Sequence, residues 1–379
     1  MGGAGSAAPT YFSYGPLLIM ATIEVNRNPS MTRYLVKDTD VFRDDPVTIV
    51  DVGARWGFNS EWEVFGKHLL VYCFEPDEEE CRRLNASAAS NVRYLPFALG
   101  RTEGEATLYE TKLSASSGLF KTDMSYFGRL LNRDNGITVG ERTIKLQTLV
   151  GALQEFGVRA IDFIKLDVEG AELDVLMGGT PYLKEGLLLG ILSEVRFQEE
   201  INGSPIFWQL DEYVRRFGFR LYNLQFTQQS RHALPYPGLA DYRTPEGERF
   251  FAYTTHGQIM DGDALYFRDL LIPANRGRRT AATITQLLKA IAFFEIYCLN
   301  DCAAELVIEH YQQLAKKVDC ARLLELLTPR ANLRKLSYKK YLQKYFDPDS
   351  GIIANPLVWR IAKPLRAVRT LIRWFVARR

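Results

Sequence analysis

Short apolar runs alternate along the chain, as far as about position 226, with stretches whose apolar residues recur every three or four positions. Apolar runs of this length predict strands, and the three-to-four spacing predicts helices. The predicted strands are 47–52, 69–75, 91–97, 143–146, a run ending at Asp167, 187–195 and 219–226, with 249–255 closing the sheet. The predicted helices are 57–66, 77–89, 147–156, 170–178 and 207–217. This alternation predicts an α/β fold, with helices on both faces of a mostly parallel sheet.

One polar segment interrupts the alternation. It is rich in serine and punctuated by glycine, and it runs from Ala98-Leu-Gly100 to about position 140. Connections longer than about 15 residues are uncommon in compact domains unless they carry a function. We therefore expect this segment to form part of the wall of a ligand site.

The pattern changes beyond position 260, where helical spacing recurs over 283–299, 302–317 and 320–327. The sequence thus divides into an N-terminal extension, an α/β domain, a helical region and a basic tail, which span 1–42, 43–260, 261–346 and 347–379. The spacing within the helical region does not indicate a function, although most such regions brace a domain or form a dimer.

The basic tail has an apolar seam and a cationic face. Between Val358 and Phe375 apolar residues recur every three or four positions, and residues 357–379 hold seven Lys and Arg residues, two Trp residues and no acidic residue. An amphipathic cationic helix with tryptophans suits an anionic membrane surface. Docking of the same helix on the protein's own core is the alternative, and the sequence leaves both open.

The overall charge and the cysteines limit the expected partners and compartment. The formal net charge of the 379 residues is only +2, so we expect no nucleic-acid partner. The five cysteines are odd in number and lack metal-ligand spacing, which predicts buried thiols in a reducing compartment. We therefore expect a cytoplasmic protein, and the tail adds the alternative of a peripheral position at the inner face of the membrane.

The end of the first predicted strand carries an acidic residue and a glycine turn. In the run V-T-I-V-D-V-G-A-R-W-G at 47–57, Asp51 precedes Gly53 and Gly57, and Glu75 ends the second strand. A dinucleotide turn has the pattern G-x-G-x-x-G, and Asp51 would repel its pyrophosphate. Asp51 would attract an ammonium group, and Glu75 would accept hydrogen bonds from ribose hydroxyls. S-adenosylmethionine offers both groups, whereas the spacing alone is also compatible with ordinary turn residues of a doubly wound fold.

A third strand end has the same character. The run I-K-L-D-V-E-G-A-E at 164–172 ends a strand in acidic residues and places Gly170 at the entry to a helix. In an open α/β sheet, ligands bind outside the carboxyl ends of the strands. We therefore expect Asp51, Glu75 and Asp167 to converge at one edge of the sheet.

Together these segments resemble the FkbM family of S-adenosylmethionine-dependent methyltransferases. The resemblance covers about 43–260 and is carried by D-V-G-A-R-W-G at 51–57, F-E-P-D at 74–77, A-L-G at 98–100, S-A-S-S-G-L at 114–119 and I-K-L-D-V-E-G-A-E at 164–172. The last motif is much more specific than a glycine turn. Many members of the family carry Asn at the position of Arg55, so we assign no role to that side chain.

The resemblance implies a class I, Rossmann-like methyltransferase fold with a mostly parallel seven-stranded sheet, to which this chain adds its C-terminal helical region. It implies O-methyl transfer from S-adenosylmethionine to a sugar, glycan or polyketide-like acceptor. It also implies that the cofactor is bound by residues of these motifs, namely Asp51, Gly53, Ala54, Gly57, Glu75, Pro76, Ala98 and Asp167. A noncatalytic binding or scaffold protein that retains the cofactor fold and docks at a membrane is the alternative.

Methyl transfer to a hydroxyl needs one positioned base, because the acceptor oxygen must lose its proton. Asp167 ends the strand next to the cofactor strand and Glu194 ends the following strand, so both are candidates for this base. Lys165 alternates with Asp167 on an apolar strand, and we expect its ammonium to pair with a carboxylate and orient Asp167 or Glu194. A divalent cation bound by Asp167, Glu169 and Glu194 is a less favoured alternative, and no metal ligand is assigned.

Overall fold

The computed structural model describes residues 23–184, 188–238, 242–243, 249–250, 253–271, 282–331 and 334–347. The predicted basic tail, apart from position 347, lies outside the described residues, as do positions 1–22 of the predicted N-terminal extension.

The strands are numbered in chain order as β1 Val47–Val52, β2 Leu69–Phe74, β3 Val92–Leu95, β4 Ala98–Leu99, β5 Gly104–Thr111, β6 Thr138–Gln147, β7 Phe163–Leu166, β8 Gly190–Arg196, β9 Phe219–Gln229, β10 Tyr242–Arg243, β11 Arg249–Phe250, β12 Gln258–Arg268, β13 Arg330–Ala331 and β14 Arg334–Lys335.

The α-helices are α1 Ser30–Tyr34, α2 Glu78–Asn85, α3 Met124–Phe127, α4 Leu149–Gln154, α5 Glu172–Gly178, α6 Thr180–Lys184, α7 Phe207–Arg215, α8 Ile284–Ile296, α9 Asn300–Glu309, α10 Tyr311–Leu314, α11 Cys320–Leu327 and α12 Tyr338–Phe346. A π-helix spans Leu35–Thr39, and 3-10 helices span Ser60–His68, Ser114–Ser116 and Arg133–Gly136. The helix predicted over 57–66 is thus a 3-10 helix that begins three residues later.

Seven strands form the central sheet, in the order β3-β2-β1-β7-β8-β12-β9. The first five of these strands are parallel to one another, and β12 runs antiparallel to both β8 and β9. β1 and β7 are almost wholly buried, which is typical of parallel strands covered by helices on both faces. The class I, Rossmann-like fold predicted from the sequence is confirmed.

The strand that completes the sheet is not the predicted one. The prediction of 249–255 was wrong, because β12 is the strand that pairs with β8 and β9. Arg249 and Phe250 instead pair with β10 in a separate two-stranded sheet. Two aspartates, Asp261 and Asp263, interrupt the apolar pattern of β12. The sequence pattern therefore did not predict this strand. The predicted domain boundary at 260 also falls inside β12, although the boundaries themselves stay predictions.

A second sheet of three strands, in the order β4-β6-β5, lies partly within the segment that the sequence left irregular. The strand predicted over 143–146 is the end of β6, which pairs antiparallel with β5 and not with the central sheet. The serine-rich segment thus has secondary structure of its own.

The C-terminal helices cover one face of the central sheet. The ring centroid of Phe293 in α8 lies 4.9 Å from that of Phe163 in β7, and Tyr297 stacks on the same Phe163 at 5.3 Å. Phe294 lies 4.6 Å from Phe267 of β12. Helices α4 to α7 cover the opposite face. The C-terminal helices that the sequence predicted are therefore present, and they pack into the main core.

Helix α8 also carries a buried charge. The side chain of Lys289 is 2% exposed, and its Nζ lies 2.9 Å from Asp162 Oδ2 and 2.7 Å from Asp45 Oδ1. Asp162 also accepts a hydrogen bond from the Thr48 N–H at 2.8 Å. Burial raises the pKa of Asp162 to about 6, although the Lys289 ammonium opposes the shift. This ion pair fixes α8 to the N-terminal ends of β1 and β7.

The cysteines agree only in part with their prediction as buried thiols. All five are free; Cys73, Cys81 and Cys320 are buried, but Cys302 is half-buried and Cys298 is exposed. Cys298 is exposed because it lies in the turn between α8 and α9, where its φ is 61°. Among the described residues, every helix is too short or too polar to cross a bilayer.

Candidate active site

The end of β1 is a glycine cradle that lies against the end of β7. Gly53 has a φ of 86° and Gly57 a φ of 104°, values that side chains rarely adopt. A Cβ on Gly53 would lie only 1.8 Å from the backbone oxygen of Asp167. The Asp167 N–H donates to the Val52 oxygen at 3.0 Å. Glycine is therefore required here by both conformation and space, and the floor of the cradle is backbone.

A cavity of about 460 Å³ opens above this cradle. Most residues that the sequence assigned to the site line it, namely Gly53, Gly57, Glu75, Pro76, Ala98, Lys165 and Asp167. Asp51, Ala54 and Glu194 are not among the lining residues. The predicted convergence of the strand ends is thus present, but three of the assigned side chains lie outside the cavity wall.

Part of the wall comes from the serine-rich segment, as predicted. Residues 114–115 and 117–119 line the cavity, together with Leu108 of β5 and Arg142 and Ile144 of β6. The second sheet therefore supplies part of the cavity wall.

Glu75 is placed at the cavity with one carboxylate oxygen engaged. The residue is 5% exposed, and its Oε1 accepts a hydrogen bond from the Asp77 N–H at 3.0 Å. Burial raises the pKa of Glu75, and the neighbouring Arg55 guanidinium opposes the shift. A buried carboxylate at a cavity wall gains stability when a ligand donates hydrogen bonds to it.

Lys165 connects the ends of β1 and β7. Its Nζ lies 3.2 Å from Asp167 Oδ2, 3.5 Å from Asp51 Oδ1 and 3.5 Å from the Gly53 oxygen. Burial alone would lower the pKa of Lys165, but the two carboxylates raise it overall, so the ammonium stays charged. The predicted pairing of Lys165 with a carboxylate is confirmed.

Asp51 lies behind Lys165. It is 1% exposed, and burial raises its pKa, with the Lys165 ammonium opposing. From the sequence, we expected Asp51 to attract the ammonium group of a ligand. In the structure its carboxylate is instead paired with the ammonium of Lys165. Its contact with a cofactor stays a prediction.

Arg196, the last residue of β8, forms ion pairs with several glutamates. Its guanidinium pairs with Glu169, Glu194 and Glu200, and the Nη2 to Glu194 Oε2 distance is 3.1 Å. Glu169, a non-glycine residue with a φ of 55°, lines the cavity, and burial raises its pKa to about 7. Burial likewise raises the pKa of Glu194, and Arg196 opposes the shift.

The carboxylates of Asp167, Glu169 and Glu194 form a cluster whose oxygens lie within 4.8 Å of one another. That spacing is compatible with a cation bound through oxygen ligands. Arg196 already pairs with two of the three carboxylates, and Lys165 pairs with the third. The protein's own cations therefore compensate the cluster, and we do not propose it as a metal site.

Sequence reasoning missed two parts of the cavity wall. Asp263 of β12 and Tyr297 after α8 line it, as do Ile23, Val25 and Arg27 of the N-terminal segment. For Asp263 a signal existed, because Asp261-Gly-Asp263 precedes the apolar run A-L-Y-F. Tyr297 and the N-terminal segment reach the cavity through packing against residues that are distant in the sequence. Such contacts leave no local sequence pattern.

The chain resembles known methyltransferases in both sequence and structure. The model of the methyltransferase FkbM domain matches residues 51–221. Similar solved structures include TrmN from Thermus thermophilus, at 12% identity and a TM-score of 0.27, covering 64% of this chain and 49% of that chain. A putative RNA methyltransferase, PH1948 from Pyrococcus horikoshii, is 11% identical with a TM-score of 0.25, covering 63% and 83%.

A S-adenosylmethionine-dependent methyltransferase from Aquifex aeolicus is 14% identical with a TM-score of 0.25, covering 63% of this chain and 99% of that chain. This chain thus aligns with only about half the length of the Thermus protein. No curated protein matches the sequence. These alignments are too weak to indicate a substrate, and the fold is established by the strand order of the central sheet. Residues 51–221, which contain the glycine cradle and most of the strand ends around the cavity, match the methyltransferase FkbM domain.

Proposed function

We propose that the protein is a S-adenosylmethionine-dependent O-methyltransferase. The observation that carries this proposal is the cavity itself, in which the glycine cradle, buried Glu75 and the Lys165–Asp167 pair face one space. The cofactor supplies a methyl group on a sulfonium, which an acceptor oxygen attacks.

The described residues fit such a cofactor. Gly53 and Gly57 leave the backbone bare for close approach, and Glu75 offers a buried carboxylate to the ribose hydroxyls. Pro76 and Ala98 complete the wall beside Glu75. We propose Asp51 and Ala54 as supports of the same cradle, since neither lines the cavity. Lys165 holds Asp167 in place beside the bound cofactor.

For the acceptor we propose a hydroxyl of a sugar, a glycan or a polyketide-like compound. The match to the FkbM domain supports this class, and Trp56 and Phe58 in the cavity wall offer apolar surfaces to the ring of an acceptor. The sequence predicts Asp167 and Glu194 as candidates for the base from their strand-end positions, and of these two only Asp167 lines the cavity. The expectation of no nucleic-acid partner stays a prediction, as do the cytoplasmic location and the membrane surface.

The direct test is release of S-adenosylhomocysteine by the full chain. The acceptor panel would contain methyl α-glycosides of glucose, mannose, galactose, rhamnose and fucose, together with hydroxylated macrolactones. We expect release with at least one acceptor. No release with any of them, combined with binding of the full chain to anionic liposomes, would instead favour a noncatalytic protein that docks at a membrane through residues 357–379.

Replacing Glu75 with Ala tests the cofactor assignment without an acceptor. The substitution removes charge-assisted hydrogen bonds worth roughly 1.5–3 kcal/mol, so the dissociation constant of S-adenosylmethionine should rise by about tenfold or more. Isothermal calorimetry measures this change. Glu78→Ala on the exposed start of α2 is the matched control and should bind like the parent. Unchanged affinity of Glu75→Ala, or binding of NAD by the parent, would contradict the assignment.

A further inference from the structure

The cavity extends past the cofactor cradle to the other half of the sheet. Because β1 lies between β2 and β7 in the strand order, the cradle and Glu75 lie to one side, and β7, β8 and β12 lie to the other. On that second side the wall is formed by Leu192 and Asp263, with Tyr297 packed over it. With the cofactor bound in the cradle, this half of the cavity would hold the acceptor.

Asp263 lines the cavity from the face of the central sheet that Tyr297 covers. In β12 it lies directly opposite Glu194 of β8, and Leu265 follows two positions later. Side chains two residues apart in a strand share a face. Leu265 packs in the same core cluster as Leu192 and Phe163, so Asp263 lies on the face that Tyr297 covers.

Asp263 differs from the other carboxylates that line the cavity, because each of those has a partner: Glu61 with the Asn59 amide, Glu75 with the Asp77 N–H, Asp77 with N–H groups of α2, Asp167 with Lys165, and Glu169 with Arg196. Across the described parts of the chain, no side chain or backbone group forms a hydrogen bond or an ion pair with Asp263. Among the described carboxylates of this wall, that of Asp263 is therefore the one that no hydrogen bond or ion pair of the protein engages.

The surroundings of Asp263 also suit a base that works near neutral pH. Burial and the neighbouring Asp167 carboxylate together raise the pKa of Asp263 to about 7, and the Lys165 ammonium opposes the shift. A base whose pKa lies near the working pH combines a usable ionised fraction with high proton affinity.

We propose that Asp263 is the base that accepts the proton of the acceptor hydroxyl, an inference that rests on the proposed O-methyl transfer. The acceptor oxygen forms a bond to the methyl carbon while the carbon–sulfur bond breaks and sulfur keeps the electron pair. The hydroxyl proton passes to the Asp263 carboxylate and from there to water. Asp167 and Glu194, each held by a cation of the protein, then position the site instead of taking the proton.

The test compares Asp263→Asn with Asp261→Asn. Both substitutions remove one charge from β12, but Asp261 is engaged by Thr227 and Gln229 and does not line the cavity. With the glycoside of the panel that turns over fastest, we expect Asp263→Asn to lower kcat by about 100-fold or more, since a general base contributes at least that factor. Its melting temperature and its calorimetric affinity for S-adenosylmethionine should stay at parental values. Asp261→Asn should keep most of the turnover.

The pH profile separates a base from a structural residue. Because only the ionised carboxylate accepts a proton, kcat of the parent should rise with pH through about 7 and then level off. That inflection should be absent from Asp263→Asn. Parental turnover in Asp263→Asn, or an inflection that persists there, would overturn the proposal.

A readout without turnover keeps the inference apart from the proposed function. In protein labelled with carboxyl-13C aspartate, one NMR signal should titrate near pH 7 and disappear in Asp263→Asn. An Asp263 signal that titrates near 4 overturns the proposal whether or not any glycoside is methylated. If the panel shows no turnover but the signal titrates near 7, the acceptor class of the proposed function has failed while the assignment of Asp263 is supported.

Discussion

Replacing Lys289 with Met should lower the free energy of unfolding at neutral pH by about 3–5 kcal/mol, the usual cost of removing one partner from a buried ion pair. Methionine keeps most of the length of the side chain, so the loss reports the charge and not a cavity. The cost arises because Asp162 would stay buried beside β1 with no ammonium to compensate it. Urea unfolding followed by circular dichroism measures the change.

Two further variants of the chain make this measurement specific. Lys316→Met, at an exposed position after α10, should change the free energy of unfolding by no more than about 0.5 kcal/mol. Adding Asp162→Asn to Lys289→Met should recover much of the lost stability, since it removes the uncompensated charge. If Lys289→Met unfolds at the parental urea concentration, α8 is not held by this ion pair.

Gly53→Ala should abolish measurable binding of S-adenosylmethionine. The new Cβ would lie 1.8 Å from the Asp167 oxygen, and alanine at a φ of 86° adds conformational strain of roughly 1–2 kcal/mol. The ends of β1 and β7 must then separate, which displaces both the cradle and the Lys165–Asp167 pair. Calorimetry should show no heat of binding, and the melting temperature should fall.

Gly157→Ala is the matched control for Gly53→Ala. Gly157 also has a positive φ, 67°, but a Cβ there would meet nothing within 4 Å. This variant should lose a similar amount of stability through backbone strain and yet keep the parental affinity for the cofactor. A Gly53→Ala protein that binds S-adenosylmethionine like the parent would show that the cradle does not receive it.

The half of the cavity that we propose for the cofactor was predictable as a cluster of strand ends, because its sequence signals are local. Gly53 lies within two residues of the end of a strand, and Glu75 directly follows the next, so strand assignment alone placed both at one edge of the sheet. The sequence did not predict that Glu194 would lie outside the cavity wall. Its side chain turns towards Arg196, two residues along the same strand, and this choice depends on packing across the sheet.

The half of the cavity that we propose for the acceptor was not predictable from the sequence, because its residues come together through tertiary contacts. Asp263 interrupts an apolar pattern, and its strand gains burial from neighbours that are distant in sequence. Tyr297, which lines the cavity, is held by stacking on Phe163 and by a hydrogen bond from the Trp62 indole N–H. Helical spacing predicted α8 correctly, but spacing does not specify which surface a helix will cover.

The aromatic contacts between β7, β12 and α8 have a consequence for how the chain unfolds. Phe163, inside the segment that matches the family, packs on Phe267, Phe293 and Tyr297, all of which lie beyond it. A fragment limited to 51–221 would expose this apolar surface to water and would lack two strands of the sheet edge. The minimal cooperative folding unit is therefore larger than the evolutionary module, and denaturation should proceed as one transition that melts the sheet and the C-terminal helices together.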